Sequence, residues 1–124
     1  MDYEIGSILR RRLDGISGLF GWHWGVCVGD GFVIHFNGER AKQRSAVIRR
    51  DTTGEFSSRR TVCVHARPKN LAHGRAIRGE ACRLHDLVHG NGFNGSYDLV
   101  FRNCQDFCMQ CYEVDYDVVD VVRS

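Results

Sequence analysis

Gly21-Trp22-His23-Trp24-Gly25-Val26-Cys27-Val28-Gly29-Asp30-Gly31-Phe32-Val33-Ile34-His35-Phe36 is the stretch that decides how this chain folds. Trp24, Val26 and Val28 alternate with Gly25 and Cys27, the period of a strand that turns one face to a core. Gly29-Asp30-Gly31 then supplies residues that tolerate positive φ, and Phe32 to Phe36 resumes an apolar run, so the segment reads as a β-hairpin. With the turn centred on Asp30, positions equidistant from it face each other, which puts His23 near residue 37 and His35 near residue 25. That register leaves the two rings as ambiguous neighbours, which a bulge, a longer loop or a diagonal contact would bring together.

Outward from the hairpin the periodicity changes. Asn37 to Ser58 is polar and charged and reads as a variable loop carrying one short strand around Ala46-Val47-Ile48. Thr61-Val62-Cys63-Val64-His65 alternates again and Pro68 ends it. From Gly74 to His89 the apolar residues Ala76-Ile77, Ala81, Leu84 and Leu87-Val88 recur at helical spacing, and Gly90-Asn91-Gly92 closes that helix. Asn94-Gly95-Ser96 reads as a turn and Tyr97 to Phe101 as extended. Cys104, Phe107, Cys108 and Cys111 then form one apolar stripe of a second helix, Cys104 to Tyr112, with Asn103 as its N-cap. Asp117 to Val122 reads as a closing strand. The expectation is an α+β chain forming one domain over residues 1–124, an antiparallel sheet bearing His23 and His35 against a helix whose first turn presents Cys104.

Composition bounds the function. A hydrophobic content of 43%, aromatic content of 10% and a single proline over 124 residues describe a folded chain with room for one core. No run of 18 apolar residues exists, and Arg10-Arg11-Arg12 interrupts the N-terminal segment without a signal-peptide pattern, so the expected location is the cytoplasm. In that compartment Cys27, Cys63, Cys82, Cys104, Cys108 and Cys111 read as thiols. The net charge is +2, with Arg40, Lys42, Arg44, Arg49, Arg50, Arg59 and Arg60 adding to the N-terminal arginines, and with Glu113, Asp115, Asp117 and Asp120 in the tail. Such a distribution fits ordinary solvated faces, or a phosphate-bearing partner, lipid headgroup or RNA.

Cys104 is the cysteine in a chemically distinct position. At the first turn of a helix the orphan backbone amides and the positive end of the macrodipole favour thiolate over thiol, and the same amides can hold the oxyanion of a tetrahedral intermediate. A nearby imidazole would take the thiol proton and return it to a leaving group. Cys108 and Cys111, in the middle of the stripe, read as small core residues. His65, His73, His85 and His89 are the other candidate bases. His85 and His89, four apart on a helix, with Cys104, Cys108 and Cys111, offer metal-type donors, but Cys-x3-Cys-x2-Cys along a helix is not the tight knuckle of structural zinc.

These residues resemble the lecithin:retinol acyltransferase-like group with its H-box and Asn-Cys motifs, a circularly permuted branch of the NlpC and papain-like thiol enzymes. His23-Trp24, the apolar strand, Gly29-Asp30-Gly31 and the second strand through His35 are similar to the H-box stretch, and Asn103-Cys104 with Phe107 is similar to the family's Asn-Cys-Glu-His-Phe signature. The resemblance covers most of the chain and implies Cys104 as nucleophile, His23 as its base and His35 as the polar partner of His23. It implies attack on a phospholipid acyl ester, a thioester, and release to water or transfer to an amine or alcohol, with neither metal nor organic cofactor. Gln105 and Asp106 depart from the signature and bear on substrate handling. Many cellular members carry an apolar anchor where this sequence ends at Val121-Val122-Arg123-Ser124, which implies peripheral membrane contact through Leu19, Phe20, Trp22 and Trp24. The chain also resembles the 2A proteins of some picornaviruses, which implies the alternative of a non-catalytic module that binds RNA or host proteins.

Overall fold

The computed structural model describes residues 3–13, 21–37, 47–89 and 104–116. Its elements are β1 (Ile8–Arg12), β2 (Trp22–Gly29), β3 (Phe32–Asn37), β4 (Val47–Thr52), α1 (Thr53–Ser57), β5 (Cys63–Ala66), α2 (Leu71–His89) and α3 (Cys104–Tyr112). The strands form one antiparallel sheet in the order β4-β3-β2-β1-β5, with the helices packed on it, an α+β architecture.

The hairpin is the centre of that sheet. Asp30 and Gly31 form its turn with φ of 56° and 79°, and positive φ at both central residues is what a type I′ turn requires. The ladder pairs Cys27 with Val33 and Val26 with Ile34, after a register irregularity between Cys27 and Gly29. Alternation then sorts the side chains. Ile8, Trp24, Val26, Val28, Ile34, Phe36 and Ile48 turn to one face and pack with Ile77, Ala81 and Leu84 of α2 and Phe107, Cys108 and Cys111 of α3. Leu9, Cys27 and Val33 turn to the other face, where Phe56 of α1 covers them. The stripe read for α3 is the stripe that is buried.

Several elements depart from the sequence reading. The Arg10-Arg11-Arg12 run lies in β1, a strand with neighbours on both sides. Arginines fit there because their stems lie along aromatic surface: the Arg10 and Arg12 guanidinium carbons are 4.2 and 4.0 Å from the Trp22 ring centroid. The strand read around residues 46–48 is β4, which runs on through the polar residues to Thr52, and the rest of the segment read as a loop contains α1. Thr52 Oγ1 accepts from the Glu55 amide and Glu55 Oε1 accepts from the Thr52 amide, a capping box that starts α1 directly from the strand. Helix α2 begins at Leu71 rather than Gly74, because Asn70 Oδ1 accepts the His73 amide and caps it. The strand around residues 61–65 runs instead from Cys63 to Ala66. Asn103, the segments read at 90–101 and the strand read at 117–122 lie outside the described residues.

His73, fully buried, joins the start of α2 to the end of α3. Its Nδ1 accepts from the Lys69 amide at 3.0 Å, so Nε2 carries the proton and donates to the Tyr112 carbonyl at 2.7 Å. Tyr112 and Tyr116 pack on its ring with centroids 4.7 Å away. Both nitrogens are used structurally, which removes His73 from the candidate bases. His73→Ala strands a buried amide and a carbonyl and opens a cavity. It is expected to lower stability by about 2–4 kcal/mol, read as a fall in the urea midpoint at unchanged slope.

Candidate active site

His23 and His35 meet on the face of the sheet covered by α1. Extending the observed register by one residue sets Gly25 opposite His35, as the turn position implies, so His23 and His35 are diagonal rather than direct partners. Across that diagonal His23 Nε2 lies 2.8 Å from His35 Nδ1, with the rings edge to face and 3% and 5% exposed. Gly25, on the same face between them, makes this possible. A Cβ there would stand 2.5 Å from Val33 Cγ1 and 2.7 Å from Phe56 Cε1. The space it vacates is filled by Phe56, whose ring centroid lies 5.5 Å from that of His23 and 5.4 Å from that of His35.

The pair is extended by a carboxylate on the next strand. His35 Nε2 is 2.7 Å from Asp51 Oδ2, and Arg49 reaches the same carboxylate with Nε at 3.4 Å. Asp51 is paired in register with Val33, so it too stands diagonal to His35. His23, His35 and Asp51 thus form an oblique row across β2, β3 and β4. Burial pushes the His35 imidazole below its ordinary 6.5; the hydrogen bond and charge of Asp51 oppose this, and Arg49 and Arg11 add to the downward push. Asp51 and Phe56 both fall in the stretch read as a variable loop, where Thr52-Thr53-Gly54-Glu55 was the available signal, a capping-box pattern that marks a helix start just past Asp51.

Cys104 approaches from the other side. Helix α3 packs on the face opposite the ring pair, and the Cys104 sulfur, half-buried at its first turn, sits 3.9 Å from the Trp22 carbonyl oxygen, next along the chain from His23. The Gly21 carbonyl accepts from Leu13 beside β1, and successive carbonyls of a strand point to opposite neighbours, so that of Trp22 points toward the β3 side. Among the described residues the β2–β3 ladder ends at Val26 and Ile34, while β2 continues on β1 to Trp22 and β3 continues on β4 to Asn37. Cys104 therefore lies beside the part of β2 beyond that ladder.

The other sequence candidates separate from this site. All six cysteines are thiols. Burial pushes Cys108 and Cys111 far up, so they stay protonated and inert. His65 packs on Trp24 at the edge strand, and His85 lies 3.2 Å from Asp86; the side chain of His89 is outside the described part. Among the described residues no group of three metal-type side chains gathers and no helix is long and apolar enough to cross a membrane. Leu19 and Phe20 lie outside the described residues.

The model for the family described as lecithin retinol acyltransferase matches residues 8–116. The chain belongs to this family. The match to the lecithin retinol acyltransferase model runs from β1 past the end of α3 and so includes His23, His35, Asp51 and Cys104. A search of the curated proteins gives no match.

Two outcomes follow from this packing. Gly25→Ala drives a methyl into Val33 and Phe56 and is expected to cost about 1–3 kcal/mol in urea unfolding. Because the native value of His35 lies below 6.5, the unfolded chain binds its proton more readily. The stability this contributes is complete above that value and is lost as pH falls from it through the lowered native value. The urea midpoint should drop on acidification below pH 6.5, and His35→Gln should flatten that drop.

Proposed function

We propose that the protein is a cysteine-dependent acyltransferase and acyl hydrolase acting on phospholipid acyl esters, with Cys104 as nucleophile, His23 as its base and His35 as the partner that orients His23. Membership of the lecithin retinol acyltransferase family supports thiol acyl-transfer chemistry. The observation that carries the assignment of residues is the buried contact of 2.8 Å between His23 and His35, on the strand whose Trp22 carbonyl meets the Cys104 sulfur at 3.9 Å.

In this reading the amides of the first turn of α3 favour the Cys104 thiolate, and His23 takes the proton. The thiolate attacks the ester carbonyl, and the same amides hold the oxyanion. Collapse forms the thioester and breaks the ester C–O bond, and the lysophospholipid alkoxide leaves with the proton from His23. Water, activated by His23, then releases the fatty acid, while an amine or alcohol in its place gives the amide or ester. No step calls on a metal or organic cofactor. Arg10 and Arg12, stacked on Trp22 beside Cys104 and without a carboxylate partner among the described residues, suit the phosphate of the headgroup. The protein would work as a single domain from the cytoplasm, by peripheral contact with the membrane surface.

The same arginine and indole surface also favours a second reading, a non-catalytic module that binds RNA by phosphate contact and stacking, or a host protein. Incubation with phosphatidylcholine vesicles separates the two. Wild type is expected to release fatty acid or acylate an added amine. Cys104→Ala is expected to lose this activity, and His23→Ala to lose about 10²-fold or more. Absence of Cys104-dependent acyl release, together with salt-dependent RNA capture that survives Cys104→Ala, would decide for the binding module.

A further inference from the structure

The row His23–His35–Asp51 has a direction, and that direction specifies which nitrogen of His23 does the work. A carboxylate only accepts hydrogen bonds, so the contact of 2.7 Å to Asp51 Oδ2 requires the His35 proton on Nε2. A neutral imidazole carries one proton, which leaves His35 Nδ1 as an acceptor. The contact of 2.8 Å between that atom and His23 Nε2 then requires the His23 proton on Nε2. In neutral His23 the unprotonated, basic nitrogen is therefore Nδ1.

We infer that Asp51 is a positioning residue of this site, which sets the tautomers of both imidazoles through His35 and so keeps His23 Nδ1 available as the base for Cys104. This rests on the acyl-transfer reading for its purpose, but its physical content is the protonation pattern of the two rings. When His23 Nδ1 takes the thiol proton, the imidazolium keeps its Nε2–H on His35 Nδ1, and the Asp51 charge stabilises the cation from the far end of the row. The carboxylate gains no proton. Arg49, 3.4 Å from Asp51, and Arg11, directly across β1 from His23, are the positive charges nearby. They favour a neutral His35.

The amide in Asp51→Asn is nearly isosteric but can turn its NH2 toward His35 Nε2. His35 would then carry its proton on Nδ1 and give it to His23 Nε2, and His23 would be left with Nδ1–H, the wrong nitrogen for a base. Asp51→Glu keeps a carboxylate and serves as the conservative control, with circular dichroism and urea midpoints establishing that both variants are folded. Long-range 15N–1H imidazole spectra should show Nε2–H tautomers for His23 and His35 in wild type and Asp51→Glu, and a shift toward Nδ1–H in Asp51→Asn. Peptide-resolved iodoacetamide labelling should show the Cys104 midpoint moving to higher pH in Asp51→Asn, with exposed Cys63 unchanged as the internal reference. With phosphatidylcholine vesicles, kcat should fall by about 10²-fold at little change in KM.

A wild-type His35 bearing its proton on Nδ1, or an Asp51→Asn protein with unchanged tautomers and labelling midpoint, overturns the inference. Neither readout needs turnover. Failure of the acyl-transfer reading would appear separately, as wild type without Cys104-dependent acyl release while the tautomer pattern holds.

Discussion

Two imidazoles in direct contact and withdrawn from water hold at most one positive charge between them without severe repulsion, and at 2.8 Å one nitrogen must donate and the other accept. That requirement organises the region around them. It needs a neighbour that dictates the donor and an environment that keeps His35 neutral. It also needs a scaffold stiff enough to hold a diagonal contact on which the protons depend. Asp51 meets the first need, burial of His35 with Arg49 and Arg11 beyond it meets the second, and the central position of β2 and β3 in the sheet meets the third.

The scaffold works because faces alternate strictly along the two central strands. Slipping the hairpin by one residue would turn His23, Gly25 and Cys27 onto the helix side and drive Trp24 and Val26 against Phe56. The Asp30-Gly31 turn guards against that slip, and the missing side chain at Gly25 gives Phe56 its place beneath the rings. The ring pair with Phe56 on one face and the core under α2 and α3 on the other are thus separated by the thickness of a sheet. Cys104 comes to β2 beyond the end of its ladder with β3.

Much of this was legible in the residues. The hairpin turn and its period-2 flanks placed His23 and His35 at nearly the right register, the stripe of Cys104, Phe107, Cys108 and Cys111 marked α3 to the residue, and the two motifs pointed to the family that the comparison then showed. What the hairpin spacing left open was the diagonal, because it depends on side-chain direction and on a glycine acting as a gap. β1 was hidden because Arg10, Arg11 and Arg12 break the apolar alternation, although stacking on Trp22 and a bond from Arg11 Nε to the Phe56 carbonyl give those side chains interior partners. Asp51 was hidden for the opposite reason. It lies in a polar stretch whose strand character comes from pairing with β3, a tertiary property that local propensity does not carry.

The separations along the chain carry a consequence for how the molecule matures. His23 and His35 are 12 residues apart and joined by a tight turn, whereas the Cys104 sulfur meets a carbonyl 82 residues away. Closing the first contact is a local event and closing the second requires most of the chain, so the two belong to early and late stages of folding. A nascent chain that has emerged through β4 already contains His23, His35 and Asp51, whereas Cys104 lies beyond α2. The contact of Cys104 with the Trp22 carbonyl therefore forms only after α2 and α3 have been made, later than the contacts within the row can close.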